Sequence, residues 1–139
     1  MKKMLYLLLT LLLVLTVTAC GGVGQETPQG DVVVKDGDVI GEGAKTFAAQ
    51  IVDLEGNKVS FTVKTDKDIV GEALQELGVL EGEEGPYGLY IKVVNGISLD
   101  YDKDGAYWAF YVDDAYAVTG VDETNIVETS VYRLQAEKG

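Results

Sequence analysis

Histidine is absent from the chain, and its absence removes a large part of enzyme chemistry. Ser-His-Asp and Cys-His nucleophile systems are unavailable. So are histidine zinc sites and the His-x-Glu pattern of zinc deaminases. There is no Gly-x-x-x-x-Gly-Lys-Ser/Thr loop to cradle phosphates. Carboxylates are so numerous that no pair stands out for acid–base work, so the expectation is a non-catalytic protein with no cofactor. The single cysteine, Cys20, has no partner in the chain, which excludes an internal disulfide. Positive charge is also scarce: 11 basic residues face 23 acidic ones, a net charge of −12. Nucleic acid would be repelled by that balance, as would an anionic membrane surface. Internal repeats and low-complexity tracts are missing as well.

The first thirty residues carry an address. Lys2 and Lys3 precede an apolar run from Met4 to Leu15, followed by Val17-Thr18-Ala19-Cys20. This is the layout of a secretory signal peptide. The run is short for a membrane span of ~20 residues, the competing reading. The last four residues resemble the lipobox of bacterial lipoproteins. In that reading residues 1–19 are cleaved, Ala19 precedes the cut, and Cys20 becomes a lipidated N-terminus. The chain is then expected outside the cytoplasm, tied to the cell membrane through the lipid on Cys20. Cleavage leaves nine basic residues against 23 acidic ones, a net charge of −14. Residues 21–30 read as a glycine-rich tether, and 31–44 as an ambiguous lead-in.

The remaining residues read as α+β. Phe47 to Leu54 and Val59 to Thr65 alternate apolar and polar side chains, as half-buried strands do. Val59, Phe61 and Val63 are expected inward. A helix follows, with Asp66 as N-cap, an apolar stripe of Ile69, Val70, Ala73, Leu74 and Leu77, and Gly78 just past its end. Gly71 inside it costs about 1 kcal/mol against alanine, offset by close packing on a sheet. Leu80 to Pro86 is expected to be a loop and Gly88 to Val94 a strand with Leu89, Ile91 and Val93 on one side. Asn95-Gly96 is a turn signal. Residues 105–122 form an aromatic hairpin. Trp108, Phe110 and Val112 share one face, Tyr107, Ala109 and Tyr111 the other. Asp113-Asp114 is its turn, and Ala115 to Val118 the return. Val131 to Gln135 is the last strand. Two strands, one helix and then several strands suit a β-grasp, with one helix on one face of a sheet.

Four motifs in order carry a resemblance: Asp68-Ile-Val-Gly-Glu-Ala-Leu74, Gly88-Leu-Tyr-Ile with Val94-Asn-Gly-Ile97, Tyr107-Trp-Ala-Phe-Tyr-Val112, and Thr119-Gly-Val-Asp122. Together they resemble the transcobalamin-like C-terminal domain family, DUF4430. The resemblance implies a β-grasp domain over residues 45–136 and a role in covering a corrinoid. Two turns depart from the family pattern: Asp113-Asp114, where Asn-Gly or Asp-Gly is usual, and Thr129-Ser130, where Gly-Asp is usual. The helical barrel that completes a transcobalamin site has no counterpart in the sequence.

Two candidate sites follow. Tyr107, Tyr111 and Tyr116, with Tyr87 beside a Gly-Pro loop, can line a ligand surface, because tyrosine offers a rigid apolar body with a polar tip. The alternative is that the tyrosines only cover sheet edges. Asp100, Asp102 and Asp104, followed by Gly105, match the start of an EF-hand loop. Its twelfth position is Tyr111 rather than glutamate, so a plain acidic loop is the simpler reading. The functional expectation is a module that captures a small molecule, a corrinoid or another, for a membrane transporter. The alternative is a surface module that binds a protein.

Overall fold

The computed structural model describes residues 33–139. The expected signal peptide, Cys20 and the expected tether lie outside the described residues. Nine strands and two short α-helices follow in order: β1 Val39–Gly41, β2 Lys45–Val52, β3 Lys58–Thr65, α1 Val70–Glu76, β4 Leu80–Gly85, β5 Gly88–Val94, β6 Ile97–Ser98, α2 Tyr101–Asp104, β7 Ala106–Val112, β8 Ala115–Tyr116 and β9 Val131–Lys138. A 3-10 turn spans Val121–Glu123.

The larger sheet has the order β1-β3-β2-β9-β7-β8. β2 and β3 form a hairpin, and β9 returns to lie parallel to β2 and antiparallel to β7. A hairpin, a helix, a second hairpin and a last strand inserted beside the first are compatible with the β-grasp connectivity expected. The α+β class is the one the sequence indicates. β1 is an addition from the ambiguous lead-in: it pairs in parallel with β3, and Val34 before it is buried in the core.

Alternation decides which side chains reach that core. Phe47, Ala49 and Ile51 of β2, Phe61 and Val63 of β3, Trp108 and Phe110 of β7, and Tyr132, Leu134 and Ala136 of β9 all belong to one apolar cluster. Val70, Ala73 and Leu74 of α1 join it. Burying a side chain such as Leu74 contributes roughly 1.5–3 kcal/mol.

Several local expectations are corrected. Asp66 does not cap α1; its Oδ1 accepts from Ala44 N at 2.8 Å instead. The helix starts later, after Ile69, because residues 68–70 lie extended against 124–126. Val70 N donates to Thr124 O at 2.9 Å, and Ile126 N donates to Asp68 O at 2.8 Å. A tertiary carbonyl thus satisfies a helix N–H that a side-chain cap would otherwise take. The C-terminal end is as read. Gly78 adopts φ 73°, its N–H donates to Gln75 O, and Val79 N donates to Leu74 O, a Schellman closure.

Leu80 to Pro86 is not a loop. β4 pairs with β5, and β5 with β6, as a second, three-stranded sheet. A register shift between Glu81 and Gly82 leaves Lys92 unpaired, as a bulge in β5. The bulge resets the alternation of β5, so Leu89, Ile91 and Val94 join the core rather than Val93. Glycine and glutamate dominate β4, which hides the strand from propensity arguments. The compensation at Gly71 also differs. A Cβ there would lie 2.8 Å from Val121 O, so at Gly71 the face of α1 meets the 3-10 turn rather than a sheet.

Candidate functional site

The aromatic hairpin is built as its sequence indicates. Val112 pairs with Ala115, closing a two-residue turn in which Asp113 and Asp114 take φ 49° and 66°. Both angles positive is the type I′ pattern, whose twist matches that of the flanking strands. The return is shorter than expected. β8 ends at Tyr116, although Ala117 N still donates to Phe110 O at 3.0 Å.

Trp108 and Phe110 point inward from β7. Trp108 Nε1 donates to Ile97 O at 3.2 Å, which ties the large sheet to the small one. Beside this tie a groove of 420 Å³ runs between β5, β7 and the segment from Tyr116 to Val121. Its walls include Tyr87, Tyr90, Tyr107, Trp108, Phe110 and Tyr116, and no charged side chain lines it. The structure therefore brings three of the four proposed tyrosines, Tyr87, Tyr107 and Tyr116, to one groove. Tyr87 is fully exposed at the β4–β5 tip, and Tyr116 is more than half exposed.

Tyr111 is elsewhere. It lies on the outer face of β7, under the Arg133 guanidinium, 4.5 Å from its ring centroid. Its other neighbour is Tyr116, edge-on at 5.3 Å. Glu137 organises this face. It accepts from Tyr107 Oη at 3.1 Å, from the Tyr111 hydroxyl, and from Gln135 Nε2 at 3.2 Å. The first of these bonds, with burial and the carboxylate charge, pushes the Tyr107 phenol up to about 12. The same carboxylate raises that of Tyr111. Arg133 is paired with Asp114 of the turn. Sequence reasoning missed Glu137 and Arg133. They lie opposite Tyr107 and Tyr111 in the β7–β9 register, and that register is invisible before the strands are paired.

A second omission is Asp122. Its Oδ1 is buried and has no hydrogen-bond partner. It lies behind the groove wall, 2.6 Å from where a Cβ on Gly120 would sit and 3.1 Å from one on Gly88. A side chain at either glycine would press on that carboxylate.

The acidic loop is a helical turn. Asp100 caps α2, its Oδ1 accepting from Asp102 N at 2.9 Å and Lys103 N at 3.3 Å. Asp104 Oδ2 accepts from Asp100 N at 2.8 Å. Gly105 closes the turn at φ 62°. Among the described residues no group of three or more His, Cys, Asp or Glu side chains is arranged to hold a metal ion. A larger depression of 630 Å³ lies between Gly41–Glu42, Lys64–Lys67 and Glu76–Leu77, but its lining mixes both charge signs and is mostly exposed.

Residues 67–130 match the family described as Domain of unknown function (DUF4430). No curated protein matches the chain. Among solved structures, the fold is similar to that of a protein from Ruminococcus gnavus ATCC 29149 described provisionally as metal-binding. The two are 24% identical with a TM-score of 0.64, over 69% of this chain and 99% of the other. At that identity the likeness is one of fold. Haptocorrin in complex with Cbi is more distant, at 14% identity and TM-score 0.48, over 68% of this chain and 25% of haptocorrin. That likeness is too remote to carry an argument.

Proposed function

We propose that this chain, whose residues 67–130 match the DUF4430 family, is a non-catalytic ligand-binding module held outside the cell membrane by a lipid on Cys20. The observation that carries the binding role is the uncharged, aromatic-lined groove between the two sheets. Its 420 Å³ falls within the ~300–1,000 Å³ of small-molecule sites. Its walls come from two sheets fixed to each other through Trp108, so the site is pre-formed and loses little entropy on binding.

The motif resemblance makes a corrinoid the first ligand to test. Such a macrocycle exceeds the groove and would be covered on one edge only. Cobalt coordination by imidazole is impossible without histidine. The contacts would be stacking and hydrogen bonds from Tyr87, Tyr107 and Tyr116, with weak affinity near micromolar, about −8 kcal/mol. Transfer of the captured molecule to a membrane transporter completes the proposal.

The test is a calorimetric titration of the chain from Gly21 onward with cobalamin, repeated with Tyr116→Ala and Tyr87→Ala. Absence of heat at high protein concentration removes the corrinoid; binding unchanged in both variants removes the groove. The anchor is tested separately by fractionating cells that carry Cys20→Ala. Release from lipid modification supports it, and absence of lipid mass on wild-type Cys20 overturns it.

A second reading, a protein-interaction surface, is favoured by Tyr87 and Val118. Both are fully exposed on the groove rim, where a partner chain would bury more of them than a small ligand.

A further inference from the structure

We infer that the groove selects a small alkylated ammonium cation. The inference rests on the groove being the ligand site and is independent of the corrinoid. Six rings line it: Tyr87, Tyr90, Tyr107, Trp108, Phe110 and Tyr116. Aromatic faces attract cations through their quadrupole, tryptophan most strongly, and more so where water is excluded. The fold already uses this attraction twice. Lys92 Nζ sits 5.8 Å from the Tyr90 ring centroid, and Arg133 lies over Tyr111.

Charge points the same way. The chain carries −12, and no lysine or arginine lines the groove to offset that field. Lys92 is held by Glu83 at 3.3 Å and is not part of the wall.

Asp122 adds a local charge. Its Oδ1 is removed from water without a partner, pressed against Gly120 and Gly88. A carboxylate oxygen in that state is costly. A cation on the Gly120 side of the groove offsets the cost through its field, whereas an anion adds to it and a neutral ligand leaves it unchanged. The cation must also lose its water cheaply. The wall offers neutral hydroxyls and no carboxylate to replace the hydration of a bare ammonium or a metal ion, but alkyl groups on nitrogen suit aromatic walls.

The experiment uses the full-length chain in a neutral maltoside detergent. Trp108, the only tryptophan, lines the groove and reports binding by fluorescence. Choline is titrated against 3,3-dimethyl-1-butanol, which has the same shape without the charge. Choline is expected to bind saturably and about tenfold more tightly, and less tightly as salt rises. Asp122→Asn should weaken choline several-fold and leave the alcohol unchanged. Tyr116→Ala, at an exposed position, should weaken choline as well and keeps the test open if the Asp122 variant fails to fold. Equal affinity for the two probes overturns the cation selectivity while leaving the groove as a site. No saturable response to choline, or choline binding unaffected by both substitutions, also overturns it; the cobalamin titration then judges the groove on its own.

Discussion

Ser130 Oγ donates to Asp113 Oδ2 at 2.8 Å, which joins the two turns where this chain departs from the pattern of the family it resembles. The other oxygen of Asp113 accepts from Val131 N at 2.8 Å, and Asp113 N donates to Val131 O at 2.9 Å. The departures at 113–114 and 129–130 are therefore one feature. The turn of the aromatic hairpin is fastened to the start of β9, and Arg133–Asp114 adds a second tie.

The bonds from Val131 and Ser130 hold the Asp113 carboxyl below the usual carboxylate range. A depressed folded pKa contributes stability above the unfolded pKa and loses it as pH falls through the folded value. Asp113→Asn should therefore lower the melting temperature at pH 7 and make little difference in acid below the folded value. Thermal melts at both pH values check this. An equal loss at both would assign the effect to the turn backbone instead.

Gly71→Ala should destabilise the protein, although alanine is favoured in a helix interior by about 1 kcal/mol. The added Cβ would meet Val121 O at 2.8 Å and Val121 C at 2.9 Å, both backbone atoms that cannot rotate away. A rise in the denaturant midpoint would show that the 3-10 turn yields.

Phe61 and Leu74 lie in one core cluster, 4% and 1% exposed. Truncating either to alanine should cost ~2–5 kcal/mol. A double-mutant cycle then measures their coupling; losses within about ±0.5 kcal/mol at both sites would remove α1 from this core.

Tyr107 tests the outer face. Its phenol, raised to about 12 from an ordinary 10.0, keeps its proton in the folded state where the unfolded chain has already lost it. The stabilisation is complete below the unfolded value near 10 and is lost as pH rises towards 12. In a spectrophotometric titration Glu137→Gln should move this phenol back towards 10. An unchanged titration would mean that burial, not Glu137, sets it.

By itself the sequence determined whatever depends on nearby residues. Alternation in β2, β3 and β7 placed their core faces, because side chains in a strand alternate whatever the strand pairs with. Gly78, Asn95-Gly96 and Asp113-Asp114 fixed their turns through backbone angles that few residues adopt. The hairpin placed Tyr107 and Tyr116, whereas Tyr87 reached their groove only through the β4–β5 tip. Tertiary structure decided the rest. Leu80–Gly85 became a strand although its glycines and glutamates disfavour one, since pairing with β5 supplies hydrogen bonds that propensity does not count. The start of α1 was set by Thr124 O rather than by Asp66, and the compensation for Gly71 by Val121, both some fifty residues away. Glu137, Arg133 and Asp122 gained their roles only when β9 and the 3-10 turn came to lie beside the hairpin and the β4–β5 tip. A carboxylate in so acidic a chain has no individual meaning until the fold chooses its neighbours.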